Sequence, residues 1–368
     1  MKKLVSLLLI TIMILTCFVS VAFAADGWQQ IDGEWQYLEN GSPVKDKWIQ
    51  TSGKWYYLNV DGIMLHDAFV KYADKYYYLT TDGSMLDKGW KLCVDDAGEN
   101  YWIYANAGGA LMQDGWLKDG KTWYWFDKDC VMATGLKKIN DVWYAFKDNG
   151  TMADNEWFQE TQYGFGLWFY ANPGGALVRG WKQIKGKWYY FSDNVQIGYW
   201  DAPWMYNFGE AEIDGKYYCL DEQSGAMLTG WVDLLKHNYT YSILPELWVY
   251  YGEDGARRAG WVKDNGKWYY LANDGTYMYR NCIATIDTVY YAFGDSGAIP
   301  EGWFKTKVYL NGDEEKWVYS TVNGIRISSW VKDGNDWYYM DDNGYMVTGE
   351  YEIDGKIYTF DQNGKWIK

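Results

Sequence analysis

A tryptophan, or a bulky stand-in for one, recurs every 20 to 30 residues along this chain, followed by an aromatic cluster such as Trp55-Tyr56-Tyr57 and then an Asp-Gly or Asn-Gly pair. Units align at Trp28, Trp48, Phe69, Trp90, Trp116, Leu136, Trp157, Trp181, Trp204, Trp231, Trp261, Ile283, Trp303, Trp330 and Glu350. A unit of that length cannot bury a core alone and must stack on its neighbours, so the fold is set by the repeat. In a chain that is 20% aromatic, such an array reads as a set of small binding units.

Within a clean unit, Trp181-Lys182-Gln183-Ile184 and Trp188-Tyr189-Tyr190-Phe191 are β-prone runs separated by Gly186, which is the signature of a hairpin. The connectors carry Asp61-Gly62, Asp82-Gly83, Asn149-Gly150, Asp274-Gly275 and Asn343-Gly344, pairs that accept the positive φ of tight turns. A methionine usually follows, at Met64, Met85, Met112, Met132, Met152, Met227, Met278 and Met346, and is expected to pack between repeats, with direct ligand contact as the alternative. The expected class is all-β, about fifteen stacked hairpins. With five prolines and no Pro/Ser/Gly-rich linker, one repeat body is expected over 25–368.

Ahead of the array, Lys2 and Lys3, an apolar run from Leu4 to Phe18 and the small-residue site Ala22-Phe23-Ala24 read as a signal peptide over 1–24, with secretion and a mature start at Ala25. The run is too short for a transmembrane segment. Cys17 follows Thr16, where a lipid anchor wants a smaller residue. Cleavage takes the net charge from −15 to −17, which argues against nucleic acid as a partner.

Chemistry of other kinds finds no foothold. Cys93, Cys130, Cys219 and Cys282 fall at four different places in the repeat and read as small hydrophobes rather than a disulfide framework. His66 and His237 have no metal-ligand spacing, and the carboxylates sit mainly in turns. No stretch of different pattern is long enough for a catalytic domain. The expectation is a binding protein, not an enzyme, with no cofactor and no metal.

The pattern Gly-Trp, six residues ending in Gly-Lys, Trp-Tyr-Tyr-Leu and Asp-Gly-x-Met, cleanest at Gly180 to Phe191, Gly260 to Leu271 and Ser329 to Met340, resembles the choline-binding, or cell-wall-binding, repeats of Gram-positive surface proteins. The resemblance covers residues 27 to 368. It implies a left-handed solenoid of about three hairpins per turn, with choline caged between successive hairpins by two Trp of one repeat and a Tyr of the next. A quaternary ammonium donates no hydrogen bond, so it is held by aromatic faces, at about 0.5–2 kcal/mol per ring.

Carried over residue by residue, the resemblance implies ten trios. They begin with Trp28, Trp35, Tyr56, then Trp48, Trp55, Tyr77, then Trp90, Trp102, Tyr124, then Trp116, Trp123, Tyr144, and Trp157, Trp168, Tyr189. They continue with Trp181, Trp188, Tyr218, then Trp231, Trp248, Tyr269, then Trp261, Trp268, Tyr291, then Trp303, Trp317, Tyr338, and Trp330, Trp337, Tyr358. Strand alternation lets one unit serve two sites, since Trp55 and Tyr56 point to opposite faces.

Every third unit fails. Phe69 would pair with Tyr76 and Ile103, Leu136 with Trp143 and Phe169, Trp204 with Tyr217 and Val249, and Ile283 with Tyr290 and Val318. At three hairpins per turn the failures would share one edge. The spacing between the paired Trp also lengthens in that cycle, at Trp90–Trp102, Trp157–Trp168, Trp231–Trp248 and Trp303–Trp317, and the loop from Asp233 to Leu247 is expected either to cover its site or to build another.

The expected function is secreted, multivalent, cell-surface wall binding through the choline of teichoic or lipoteichoic acids, with linked weak sites reinforcing one another. Polysaccharide binding is the alternative, because related repeats occur in glucan-binding proteins and a Trp face also stacks on a sugar. A structural or adhesive protein is a third reading, its cage-free edge meeting a protein partner or a second copy.

Overall fold

The computed structural model describes residues 26–160, 166–192, 202–237, 246–307 and 315–367. The expected signal segment and residues 238–245 of the Asp233 to Leu247 loop lie outside the described residues. Among the described residues fifteen antiparallel hairpins follow one another, each its own sheet of two or three strands, and the all-β repeat class is borne out. A single 3-10 turn, Leu234–Lys236, is the helical exception among the described residues. The chain forms two compact units, Met1–Ala153 with six hairpins and Asp154–Lys368 with nine.

Two-residue turns set the register. Between Gly180–Ile184 and Lys187–Ser192, Lys185 and Gly186 have φ of 50° and 82°. Positive φ at both central residues is what a type I′ turn demands, and its twist matches that of the strands.

Alternation then sorts the side chains. In the hairpin of Lys47–Thr51 and Lys54–Leu58, Trp48 lies opposite Tyr57 and Ile49 opposite Tyr56. Trp48, Tyr57 and Trp55 therefore share one face, while Ile49, Tyr56 and Leu58 share the other. Leu58 is fully buried, as are its counterparts Leu79, Phe126, Phe146, Leu220 and Phe293. Phe126 and Phe146 face the glycines that open their hairpins, Gly115 and Gly135.

The connector does the stacking. Met64, which follows the second hairpin, donates its backbone N–H to the Trp35 carbonyl of the first hairpin at 2.7 Å, and Met85 does the same to Trp55 at 2.7 Å. The bond recurs from Met132 to Trp102, Met152 to Trp123, Met227 to Trp188, Met278 to Trp248 and Met346 to Trp317. The side chains of Met64, Met85, Met132, Met227, Met278 and Met346 then lie beneath the turn glycine of the following connector. A Cβ built on Gly150 would stand 2.1 Å from Met132 Sδ, and one on Gly83 2.4 Å from Met64 Cε. A carboxylate or amide starts some of these turns: Asn59 Oδ1 accepts from the N–H groups of Asp61 and Ile63, and Asp127 Oδ1 from those of Asp129 and Val131.

Two register assignments change. Leu111, not Met112, holds the stacking position after the fourth hairpin, donating to the Tyr76 carbonyl at 2.8 Å. Trp204 does not open the ninth hairpin: Trp204–Met205 pairs with the end of the preceding one, Met205 opposite Phe191, and the ninth opens at Gly209–Ile213 with Glu210 opposite Cys219. The spacing of the strands decides this, because Glu210 stands seven residues before Tyr217, as Trp48 does before Trp55.

Among the described residues, Cys93, Cys130, Cys219 and Cys282 are free thiols, the first three of them buried. Burial pushes the Cys130 thiol up to about 11 and, with nearby Glu210 adding to it, the Cys219 thiol up to about 12.

The stacking rule predicts that Gly150→Ala destabilises the protein by about 2–4 kcal/mol, the sum of a positive-φ penalty and an overpacked methionine contact. Gly186→Ala, with nothing within 4 Å of the added carbon, carries the backbone penalty alone, about 1–2 kcal/mol. Urea unfolding followed by far-UV circular dichroism compares the two.

Candidate inter-hairpin sites

Each site is assembled from two successive hairpins and the connector that follows the second. The first Trp of a hairpin is backed by an aromatic of its own second strand and faced by the Tyr reaching in from the next hairpin. Trp116 lies 5.1 Å from Trp125 behind it, 4.9 Å from Tyr144 in front and 6.3 Å from Trp123, the two indoles at 89°. The same box stands at Trp28 with Trp35 at 6.4 Å and Tyr56 at 5.0 Å, and at Trp90 with Trp102 at 6.3 Å and Tyr124 at 4.7 Å. It recurs at Trp157 with Trp168 at 6.2 Å and Tyr189 at 5.1 Å, and at Trp261 with Trp268 at 6.2 Å and Tyr291 at 4.7 Å. Trp330 adds Trp337 at 6.4 Å and Tyr358 at 5.2 Å.

In the other four trios the first Trp meets its reaching Tyr at 5.2 Å (Trp48 and Tyr77) or 4.7 Å (Trp181 and Tyr218, Trp231 and Tyr269, Trp303 and Tyr338). Their second indoles, Trp55, Trp188, Trp248 and Trp317, are tied to the next connector through the methionine bonds described above.

The second Trp is the open wall in eight of the ten trios, Trp248 and Trp268 being half-buried. Trp35, Trp102, Trp123 and Trp337 are 45, 38, 37 and 39% exposed, against a half-buried first Trp in every trio. Desolvation and then the Asp46 carboxylate, which accepts from its hydroxyl, push the Tyr57 phenol behind Trp48 up to about 12. It stays a neutral ring across the physiological range.

Methionine forms the floor, which resolves the question its periodicity raised. Met132 is 7% exposed, packs under Gly150, and also lines a cavity of about 320 Å³ with Trp90, Trp102, Tyr124 and Asn149. Met205 and Met278 line cavities of about 410 and 380 Å³ at Trp157 and Trp231. One side chain thus holds the repeats together and faces the site. Ile299 and Trp366 take this position at Trp268 and Trp337. Trp366 comes within 5.7 Å of Trp330, a fourth ring that the repeat pattern did not reveal because it follows the last Asn-Gly turn.

Carboxylates were also missed as site residues. Asp119 accepts the indole N–H of Trp90 at 3.0 Å, Asp264 that of Trp231 at 3.3 Å and Asp333 that of Trp303 at 3.0 Å. At Trp231 the described end of the long loop brings Glu246 to the Trp248 indole N–H at 3.0 Å and into an ion pair with Arg280.

The failed units are filled from within. Ile103, Phe169, Val249 and Val318, which stand where a reaching Tyr would be, are all fully buried. Ile103 packs with Tyr78, Cys93, Leu111 and Cys130, and Val318 with Ala292 and Ile325. In the ninth hairpin the register places Glu210 where the first Trp belongs and Tyr217 where the second belongs. Arg257, in the methionine position, donates its N–H to the Tyr217 carbonyl at 2.8 Å. Its guanidinium lies 4.1 Å from the Tyr217 ring centre and 3.0 Å from Glu210 Oε1, which also accepts from Tyr251 at 2.6 Å. The chain's own cation sits in this cage. Burial, then Glu210, drive the Tyr251 phenol far above its ordinary range, keeping it a donor.

With both partners about nine-tenths buried, Arg257→Ala strands the Glu210 carboxylate and is expected to cost about 3–5 kcal/mol. The paired replacement Glu210→Leu with Arg257→Met, which removes both charges, restores most of that in thermal unfolding.

Among the described residues, no group of three or more His, Cys, Asp or Glu side chains could hold a metal ion, and no helix is long and apolar enough to cross a membrane.

Residues 44–90, 114–157 and 327–367 match the choline-binding repeat family, and residues 180–194 and 259–277 the cell wall binding repeat family. Glucosyltransferase-S of Streptococcus mutans serotype c is 27% identical over 260 residues, 67% of this chain and 15% of that protein. This chain therefore spans less than a sixth of that relative's length. Among solved structures, CbpJ from Streptococcus pneumoniae TIGR4 is 22% identical, covering 87% of this chain and 99% of its own, with a TM-score of 0.44. The modular autolysin LytC of Streptococcus pneumoniae is 25% identical over 68% of this chain and 52% of its own, with a TM-score of 0.42.

Proposed function

Because its repeats are choline-binding and cell-wall-binding repeats, we propose that this chain is a secreted, multivalent wall-binding protein that holds the choline of teichoic and lipoteichoic acids in its ten inter-hairpin boxes. The observation that carries this reading is the box itself: three rings set edge to face, one indole open to solvent and a thioether floor, as at Trp90, Trp102, Tyr124 and Met132. Such a site matches a quaternary ammonium, which offers no donor and takes its binding energy from ring faces at about 0.5–2 kcal/mol each. Single boxes of this openness bind weakly, and repetition along one polymer supplies retention through effective concentration. A net charge of −15 favours the cationic head group over the polymer's phosphates. In this reading the chain's task is attachment, with no reaction of its own.

A second reading, glucan binding, is favoured by the match to Glucosyltransferase-S. The exposed faces of Trp35 or Trp123 would stack on a sugar ring.

Intrinsic Trp fluorescence titrated with choline chloride and, separately, with isomalto-oligosaccharides separates the two. Choline is expected to saturate the signal in the millimolar range and to elute the protein from choline-bearing walls. Saturation by the oligosaccharide alone would overturn the choline assignment.

A further inference from the structure

The ten boxes are not electrostatically equal, and the inequality traces to one dipeptide in three hairpins. Lys118-Asp119, Lys263-Asp264 and Lys332-Asp333 each end the first strand of their hairpin. Adjacent strand residues point to opposite faces, so each pair divides its charges between two sites.

The aspartates reach back. Each accepts the indole N–H of the preceding repeat's first Trp, at Trp90, Trp231 and Trp303, over 3.0, 3.3 and 3.0 Å. The lysines face their own hairpin's second Trp, with ammonium nitrogens 5.4 Å from the Trp123 ring centre, 5.4 Å from Trp268 and 5.7 Å from Trp337. One box therefore gains a carboxylate behind its indole, and the next box along gains a cation against its open wall.

We infer that the boxes form two ligand classes, a cation-preferring one at Trp90, Trp231 and Trp303, and a cation-suppressed one at Trp116, Trp261 and Trp330. This rests on the choline reading above and assigns Asp119, Asp264 and Asp333 as its affinity determinants.

Two effects act in the same direction. A carboxylate accepting from the indole N–H pushes electron density toward the ring that faces the ligand, and its full charge attracts the ammonium directly. The lysine occupies quadrupole attraction that a ligand would otherwise use, and repels a second cation. At Trp231 the balance stays negative, because Asp264, Glu246 and Asp295 stand against Arg280 and Lys236. At protein-surface dielectric, a unit charge at this remove changes affinity by about three- to tenfold.

The arrangement gives the array a graded response. The tight class fills first as choline density rises, and the suppressed class adds retention only where the polymer is dense.

The test is site-resolved. Protein labelled with 5-fluorotryptophan is titrated with choline chloride and followed by fluorine NMR, with resonances assigned by single Trp→Phe variants. Trp90, Trp231 and Trp303 are expected to reach half-shift at about three- to tenfold lower choline than Trp116, Trp261 and Trp330. The combined variant Asp119→Asn, Asp264→Asn, Asp333→Asn keeps the acceptor and removes the charge, and is expected to erase that lead. Lys118→Gln, Lys263→Gln, Lys332→Gln, on the exposed face, is expected to bring the second group to lower choline. Equal midpoints in the unaltered chain, or a lead that survives the aspartate changes undiminished, would overturn the two classes while leaving choline binding intact. No response of any resonance to choline would overturn the choline reading and this inference with it.

Discussion

The edge-to-face contact between one hairpin's first Trp and the next hairpin's Tyr, at 4.7–5.2 Å in all ten trios, is what the rest of the molecule depends on. An isolated two-stranded hairpin is marginal in water, so neither face of a unit is stable until a neighbour covers it. The contact makes the stack and leaves a concave aromatic corner at each joint where the trio is intact. In the proposed reading site and fold share one interaction, and where a trio is broken something else fills the joint.

That requirement explains the interrupted units. Where the reaching Tyr becomes Ile103 or Val318, the joint closes as ordinary core. In the ninth hairpin the replacement is charged, and Glu210, Arg257, Tyr217 and Tyr251 rebuild the cage around an internal guanidinium. Aromatic boxes and buried ion pairs are alternative ways to satisfy one geometric slot.

Much of this was legible from sequence because period-two alternation and Asp-Gly turns are local signals. The hairpins follow from them, and so does the face assignment of adjacent residues such as Trp55 and Tyr56, while the grouping into ten trios is what the resemblance to choline-binding repeats implies. What escaped was register and reach. Trp204 was misplaced because tryptophan serves both the opening strand and the connector, and the seven-residue step from Glu210 to Tyr217 was hidden by a charged residue in an aromatic position. The methionine floor and the Asp119, Asp264 and Asp333 bonds join residues 29 to 39 apart, beyond any motif of one unit. The lysine-aspartate pairs stand in the printed sequence, but their opposite effects on two boxes emerge only when the hairpins are stacked.

The central claim is that a joint is a ligand site only where the Trp, Trp, Tyr trio is intact. Diffraction from crystals grown with a choline analogue carrying an anomalous scatterer counts the occupied joints directly. The account predicts peaks confined to the ten trios, with none beside Ile103, Val249 or Val318 and with Arg257 still seated on Tyr217. Ligand at those closed joints, or intact boxes left empty at saturating analogue, would contradict it.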